Sequence, residues 1–419
     1  MRVPGFAETA PEAELRPYAP PAWAQIVIAS ALLGIVAGVM FTLFFPRGAF
    51  AEYRYHLWRW EANTVVSSAL GLAGIGERGI GDEEALRQYF SYTTDIRGAI
   101  NSVEPDTGLI QVLRNERATY ENDVRAAVIS GYVADAIAAA GLREDLPLFR
   151  SVAVTWPPVD FELTNPPQIL VTSPRDEIDR QSDTLLQADL SLEQIEAIEA
   201  EATDENRSAI VVSIGGIAAY PAIIRSNRNY WSTVETTAHE WVHHYLAFYP
   251  LGQQWGRSSD ANTLNETTAN IAGRELARIV HEMHPVDFGD GEDGSAPPSG
   301  EERNSDIDFS SVMRQLRLDV DALLEEGEVE EAEALMEETR QELAENGIHI
   351  RRINQAYFAF YGTYADTPQS SNPIGPKVER VWELTGDVGL FLRVMRDITS
   401  VAELDAALEQ LEELAGEET

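Results

Sequence analysis

The chain has 419 residues, with 31 Lys+Arg against 69 Asp+Glu and a formal net charge of −38. Such a surface repels phosphate backbones, which excludes nucleic acid as an expected partner and fits a soluble, self-repelling exterior. There is no cysteine, so neither a disulfide framework nor a thiolate metal site can form. The length and the 44% hydrophobic content suffice for an anchor plus one large or two modest domains.

Residues 1–22 contain Pro4, Pro11, Pro17, Pro20 and Pro21 and read as a flexible tail. Residues 23–45 (WAQIVIASALLGIVAGVMFTLFF) carry no charge. At about 1.5 Å rise per residue they cover a hydrocarbon core of about 30 Å. The expectation is a single transmembrane helix, with membrane lipid as partner and a single-pass cell-membrane location. A signal segment cleaved at Ala49-Phe50-Ala51 is the alternative. Arg47, Arg54 and Arg59 after the span, against Arg2 and Arg16 before it, lean toward a cytoplasmic C-terminal domain.

Residues 46–150 read as a helical membrane-proximal region. Gly74-x-Gly76-x-x-Gly79 has no strand before it and reads as a glycine-rich turn rather than a dinucleotide fingerprint. Helices are expected from Asp82 to Ile100 and from Gly108 to Ala140. In the second of these, Val124, Val128, Ile129, Val133 and Ile137 recur at helical spacing.

The prolines at 157, 158, 166 and 167 open a core predicted over 151–284, with strands at Ile169–Thr172 and Ala209–Ile214 and an acidic helix at Leu190–Ala202. Residues 285–308 form an acidic loop whose Asp287, Asp290, Glu292 and Asp293 lack the spacing of an EF-hand. A helical C-terminal region, 309–419, follows. It has a hairpin over 309–326 and 328–346, stopped by Gly327 and Gly347, and a last helix over Val401–Leu414.

Chemistry concentrates in the helix predicted over Val234–Tyr249, which contains His239-Glu240-x-x-His243. Residues four apart on a helix stack on one side, so both imidazoles can reach one metal, and Glu240 lies where it can take a proton from water. A second helical stretch supplies Asn265-Glu266-x-x-Ala269-Asn270, and Glu266 is the candidate third ligand. His244 faces away from His243, and His281 and His284 read as a solvated helix end.

This pair of motifs, covering about forty residues, resembles the gluzincin group of zinc metallopeptidases. The resemblance implies an α+β, helix-rich zincin-like domain with Zn²⁺ on His239, His243 and Glu266, Glu240 as general base, and a peptide or protein as substrate. It also implies that Asn270 stands where related enzymes place an aspartate to steady a ligand histidine. The strand before the zinc helix would border the cleft and pair with extended substrate, the alternative being an interior strand ending in a tight turn. An oxyanion donor is expected among His349, Tyr357, Tyr361 and Tyr364, with Tyr361 the choice among them. The rival to the enzyme is a membrane-anchored scaffold in which the site binds structural zinc or is a relic.

Overall fold

A computed structural model describes residues 50–61, 83–102, 104–146, 149–288 and 308–417. Met1–Tyr53 and Arg54–Thr419 are separate units; within the first, the Tyr53 amide donates to the Phe50 carbonyl at 2.9 Å. The second unit is helix-rich with small sheets and carries the candidate chemistry.

Its elements run α1 (Glu83–Ile100), α2 (Thr107–Ala118), a π-helical segment (Asp123–Ile129), α3 (Ser130–Ala139), β1 (Arg143–Leu146), β2 (Phe149–Thr155), β3 (Phe161–Leu163), β4 (Gln168–Pro174), β5 (Ser182–Leu186), α4 (Leu192–Ala202), β6 (Arg207–Ser213), β7 (Gly216–Ile217) and β8 (Ala222–Ile224). Then follow α5 (Tyr230–Leu246), α6 (Pro250–Gln253), α7 (Ser259–Met283), α8 (Phe309–Glu325), α9 (Val329–Glu345), α10 (Gln355–Tyr361), α11 (Ile374–Thr385), α12 (Val388–Met395) and α13 (Val401–Glu417). The single helix expected over 108–140 is broken after Ala118, although its apolar positions Val124, Val128, Ile129, Val133 and Ile137 are all buried. The hairpin turns at Gly327 and Gly347 take φ of +81°, which only glycine adopts without strain.

One antiparallel sheet has the order β5-β4-β6, with Gln168–Pro174 of the central strand buried throughout. Its Ile169, Val171, Ile210 and Val212 pack on Met313, Leu316 and Val320 of α8 and Met336 of α9. A second sheet, β3-β8-β7, pairs β3 and β8 in parallel and β8 and β7 antiparallel, with Gly216 opposite Ile224. A larger apolar cluster surrounds α5 and α7, drawing on Val234, Trp241, Leu264, Ile271 and Phe391. The α5 helix is also tied sideways: Trp241 Nε1 donates to the Pro157 carbonyl at 2.8 Å.

The expected transmembrane helix and the cell-membrane location that followed from it are corrected here. No helix among the described residues is long and apolar enough to cross a membrane. The longest, α7, carries Asp260, Glu266, Arg274, Glu275, Arg278 and Glu282 among its 25 residues. Hydrocarbon would have to strip water from every one of them. Residues 23–45, on which that expectation rested, lie outside the described residues, as do the glycines at 74, 76 and 79 and most of the acidic loop.

Candidate metal centre

Helix α5 begins where the Asn229 side chain accepts the Ser232 amide at 2.8 Å, and it runs without a break through both histidines. Helix α7 begins likewise at Ser258, which accepts the Ala261 amide at 3.1 Å. His239 packs on Gly273 and faces Glu266, whereas His243, one turn on, meets Asn265 and Glu266. The two helices therefore run antiparallel. Their close approach depends on Gly273: a Cβ there would lie 3.0 Å from the Cα, Cβ and N of His239.

Between the helices three donors converge. His239 Nε2 and His243 Nε2 are 3.0 Å apart, and each is 3.5 Å from Glu266 Oε2. A tetrahedral ion with bonds of about 2.0–2.1 Å needs ligand atoms about 3.3–3.4 Å apart. The observed spacings bracket that edge. Glu266 Oε2 is buried and has no hydrogen-bond partner, an unsatisfied lone pair directed at the two imidazoles.

Charge points the same way. Burial alone would push the Glu266 carboxyl up, but the two imidazoles override it and hold the group well below the usual carboxylate range. Burial works against a charged His243 as well, yet Glu266 raises it to about 9. A cation is wanted at this point, and His239, His243 and Glu266 could hold a metal ion. Among the described residues no other group of three such side chains comes together.

Glu240 projects from α5 toward β7 and is 5% exposed. A Cβ on Gly216 would fall 2.5 Å from Glu240 Oε1 and 2.9 Å from Thr236 Cγ2, so only glycine lets the strand lie against this carboxylate. Burial, with a smaller contribution from Glu266, raises the Glu240 pKa; the two histidines oppose the shift. The group is moved toward the range in which a carboxylate serves as a base near neutral pH.

Around this centre the structure rearranges several expectations. His243 is steadied by Asn265, whose Oδ1 lies 2.7 Å from His243 Nδ1 and accepts its proton when Nε2 is kept for a metal. Asn270 instead donates to both oxygens of Asp366, at 3.1 and 2.9 Å, and Arg274 lies 3.6 Å from the same carboxylate. The tyrosine at the cluster is Tyr364, not Tyr361. Its ring lies 6.3 Å from that of His239, and burial, then Glu266 and Glu240, push its hydroxyl well above the ordinary value.

Tyr361 lies one turn earlier, where the charges acting on it come from Arg225 and Arg228. Tyr357 packs in the sheet-side core and His349 is exposed. His244 Nε2 donates to the Ala219 carbonyl at 2.7 Å, and burial keeps the ring neutral, its pKa lowered to about 4. His281 packs edge-on against Trp231, and His284 stacks on Tyr132 at 3.9 Å and pairs with Asp135 at 3.1 Å.

The strand expected to receive substrate is β6, one of the two outer strands of its sheet. Three of its outward backbone groups are already used: Val211 N donates to Glu199, Val211 O accepts from Arg351, and Ala209 O accepts from Asn354. The edge beside the cluster is the two-residue β7. Asp366 was reachable by no local signal, lying 96 residues from Asn270. Comparisons with known protein families, with curated proteins and with solved structures return no match for this chain.

Proposed function

We propose that this chain is a zinc-dependent metallopeptidase that hydrolyses peptide bonds with Glu240 as general base. The observation that carries the reading is the convergence of His239 Nε2, His243 Nε2 and the unpartnered Glu266 Oε2 beside a buried Glu240 whose pKa is raised. Two imidazoles and one carboxylate match the ligand composition of catalytic zinc sites, in which a fourth position stays open to water.

Bound there, zinc supplies Lewis-acid polarisation of the scissile carbonyl and lowers the pKa of water toward about 7. Glu240 takes the proton of the attacking water and hands it to the leaving amine. The Tyr364 hydroxyl stays protonated and donates to the carbonyl oxygen as negative charge builds on it. Asn265 fixes the ring of His243, and the missing side chain of Gly216 leaves room for the Glu240 carboxylate.

In the scaffold alternative Glu240 would be spent in an ion pair. Among the described residues no Lys or Arg acts on it, which supports the enzyme.

The test is metal analysis of the purified protein followed by a peptide-library digest. One zinc per chain in the wild type, lost in Glu266→Ala, is expected. Glu240→Gln is expected to keep the zinc and lose at least a hundredfold in rate. A chain without stoichiometric zinc, or a fully active Glu240→Gln, overturns the proposal.

A further inference from the structure

In a chain with more than twice as many acids as bases, arginines are expected to find carboxylates, and most described here do: Arg175 pairs with Glu333, Arg180 with Asp183 and Arg351 with Glu199. Arg225 and Arg228 form no ion pair among the described residues, although the charge of Arg228 reaches the half-buried Glu235 carboxyl. Arg225 is half-buried and donates from Nε and Nη2 to the Ile214 carbonyl, at 2.9 and 2.6 Å, a neutral acceptor that leaves its charge uncompensated. Arg228 is exposed and forms neither an ion pair nor a hydrogen bond among the described residues; its Nη2 lies over Gly215, 3.3 Å from where a Cβ would stand. The two guanidinium groups also act on each other, an unfavourable juxtaposition of like charge.

Their place in the fold gives this charge a use. Arg225 directly follows β8, and its amide donates to the Gly215 carbonyl at 2.9 Å. The next residue, Gly216, lies against the Glu240 carboxylate. One residue along a strand is about 3.3 Å, so the arginines stand one or two substrate residues from the bond attacked by the water that Glu240 deprotonates. Tyr361 completes the corner, since both arginines act on its hydroxyl. Two guanidinium groups and a phenol are donors suited to a carboxylate, which a guanidinium can hold through two parallel hydrogen bonds. The chain as a whole, at net −38, repels anions, so this corner is where an anionic substrate group finds attraction.

We propose that Arg225, Arg228 and Tyr361 form a subsite for a substrate carboxylate, making the enzyme selective for peptides that present an anionic group within two residues of the scissile bond. This rests on the metallopeptidase reading. The carboxylate is either an Asp or Glu side chain or the free C-terminus of the peptide.

The test measures equilibrium binding, which does not require turnover. Zinc-loaded Glu240→Gln protein is titrated with fluorescent peptides in matched pairs: Glu against Gln at each position in turn, and free against amidated C-terminus. One arm is expected to favour the carboxylate by roughly tenfold to a hundredfold. The arm that responds identifies the source of the charge.

Adding Arg228→Ala is expected to bring the ratio within each pair close to one, and Arg228→Lys to restore part of it. Arg228 is exposed and spends no bond on the fold, so its removal leaves the protein folded. Equal binding within all pairs in the parent, or a preference surviving Arg228→Ala, overturns the subsite. If the preference is present and depends on Arg228 while wild-type protein cleaves no peptide, the subsite stands and the hydrolase reading falls.

Discussion

Replacing Gly273 by alanine adds one methyl group where α7 crosses His239. That Cβ would lie 3.0 Å from three atoms of His239, whereas carbon atoms rest about 3.5–4.0 Å apart. The helices must part by on the order of 0.5 Å, at an overpacking cost of about 1–3 kcal/mol. Alanine returns about 1 kcal/mol of helix propensity over glycine. The metal-free protein is therefore expected to lose only about 0–2 kcal/mol.

The effect on the ion should be larger than that loss suggests. Glu266 lies on the displaced helix and the histidines on the other, and ligand distances tolerate only about 0.2 Å. Zinc affinity, measured by competition with a chromophoric chelator, should fall at least tenfold, equivalent to about 1.4 kcal/mol. Gly98→Ala, where an added Cβ meets nothing within 4 Å, is the control and should leave affinity unchanged. Wild-type affinity in Gly273→Ala would refute the argument that this contact sets the ligand spacing.

Three further outcomes can be checked directly. Tyr364→Phe should lower kcat by roughly tenfold to a hundredfold with zinc content unchanged, while Tyr361→Phe should leave kcat on a neutral peptide much nearer the wild-type value; the reverse ranking would return the oxyanion role to Tyr361. Glu199, fully buried, accepts from Val211 N at 2.7 Å and from both terminal nitrogens of Arg351, so Glu199→Ala should cost about 3 kcal/mol in urea unfolding, and a loss under about 1 kcal/mol would contradict that role. His244 is kept neutral when folded, with its pKa lowered to about 4, whereas the unfolded chain takes up the proton near 6.5. Stability should thus fall as pH drops from 6.5 toward 4, by about 2–3 kcal/mol from this residue. In metal-free His244→Gln that part of the slope should vanish, and an unchanged slope would contradict it.

The meeting of the three donors was legible because helical spacing alone places His239 and His243 together, and because Glu266 falls in a second stretch whose apolar residues, Leu264, Ile271 and Leu276, recur at helical spacing. What surrounds the ligands was not. Whether Asn265 or Asn270 meets a ligand histidine depends on how α7 is rotated about its axis, which Gly273 and the packing of Leu264, Ile271 and Leu276 decide. Tyr361 and Tyr364 are equally aromatic in sequence. They separate in space because α10 ends at Tyr361, so Tyr364 leaves the helix and turns toward Glu266. The apolar run of Ala209–Ile214 marked a strand, observed as Arg207–Ser213, but could not reveal that Glu199, Arg351 and Asn354 would occupy its edge.

The three donors come from two helices separated by the chain from His244 to Asn265. An ion held among them is then a cross-link as well as a reagent, closing that loop as a disulfide would in a chain that has no cysteine. Unlike a disulfide, such a clasp obeys mass action: its contribution grows with the logarithm of free metal and disappears when the metal is withdrawn. The lifetime of the folded chain would then follow the supply of the ion on which its chemistry depends.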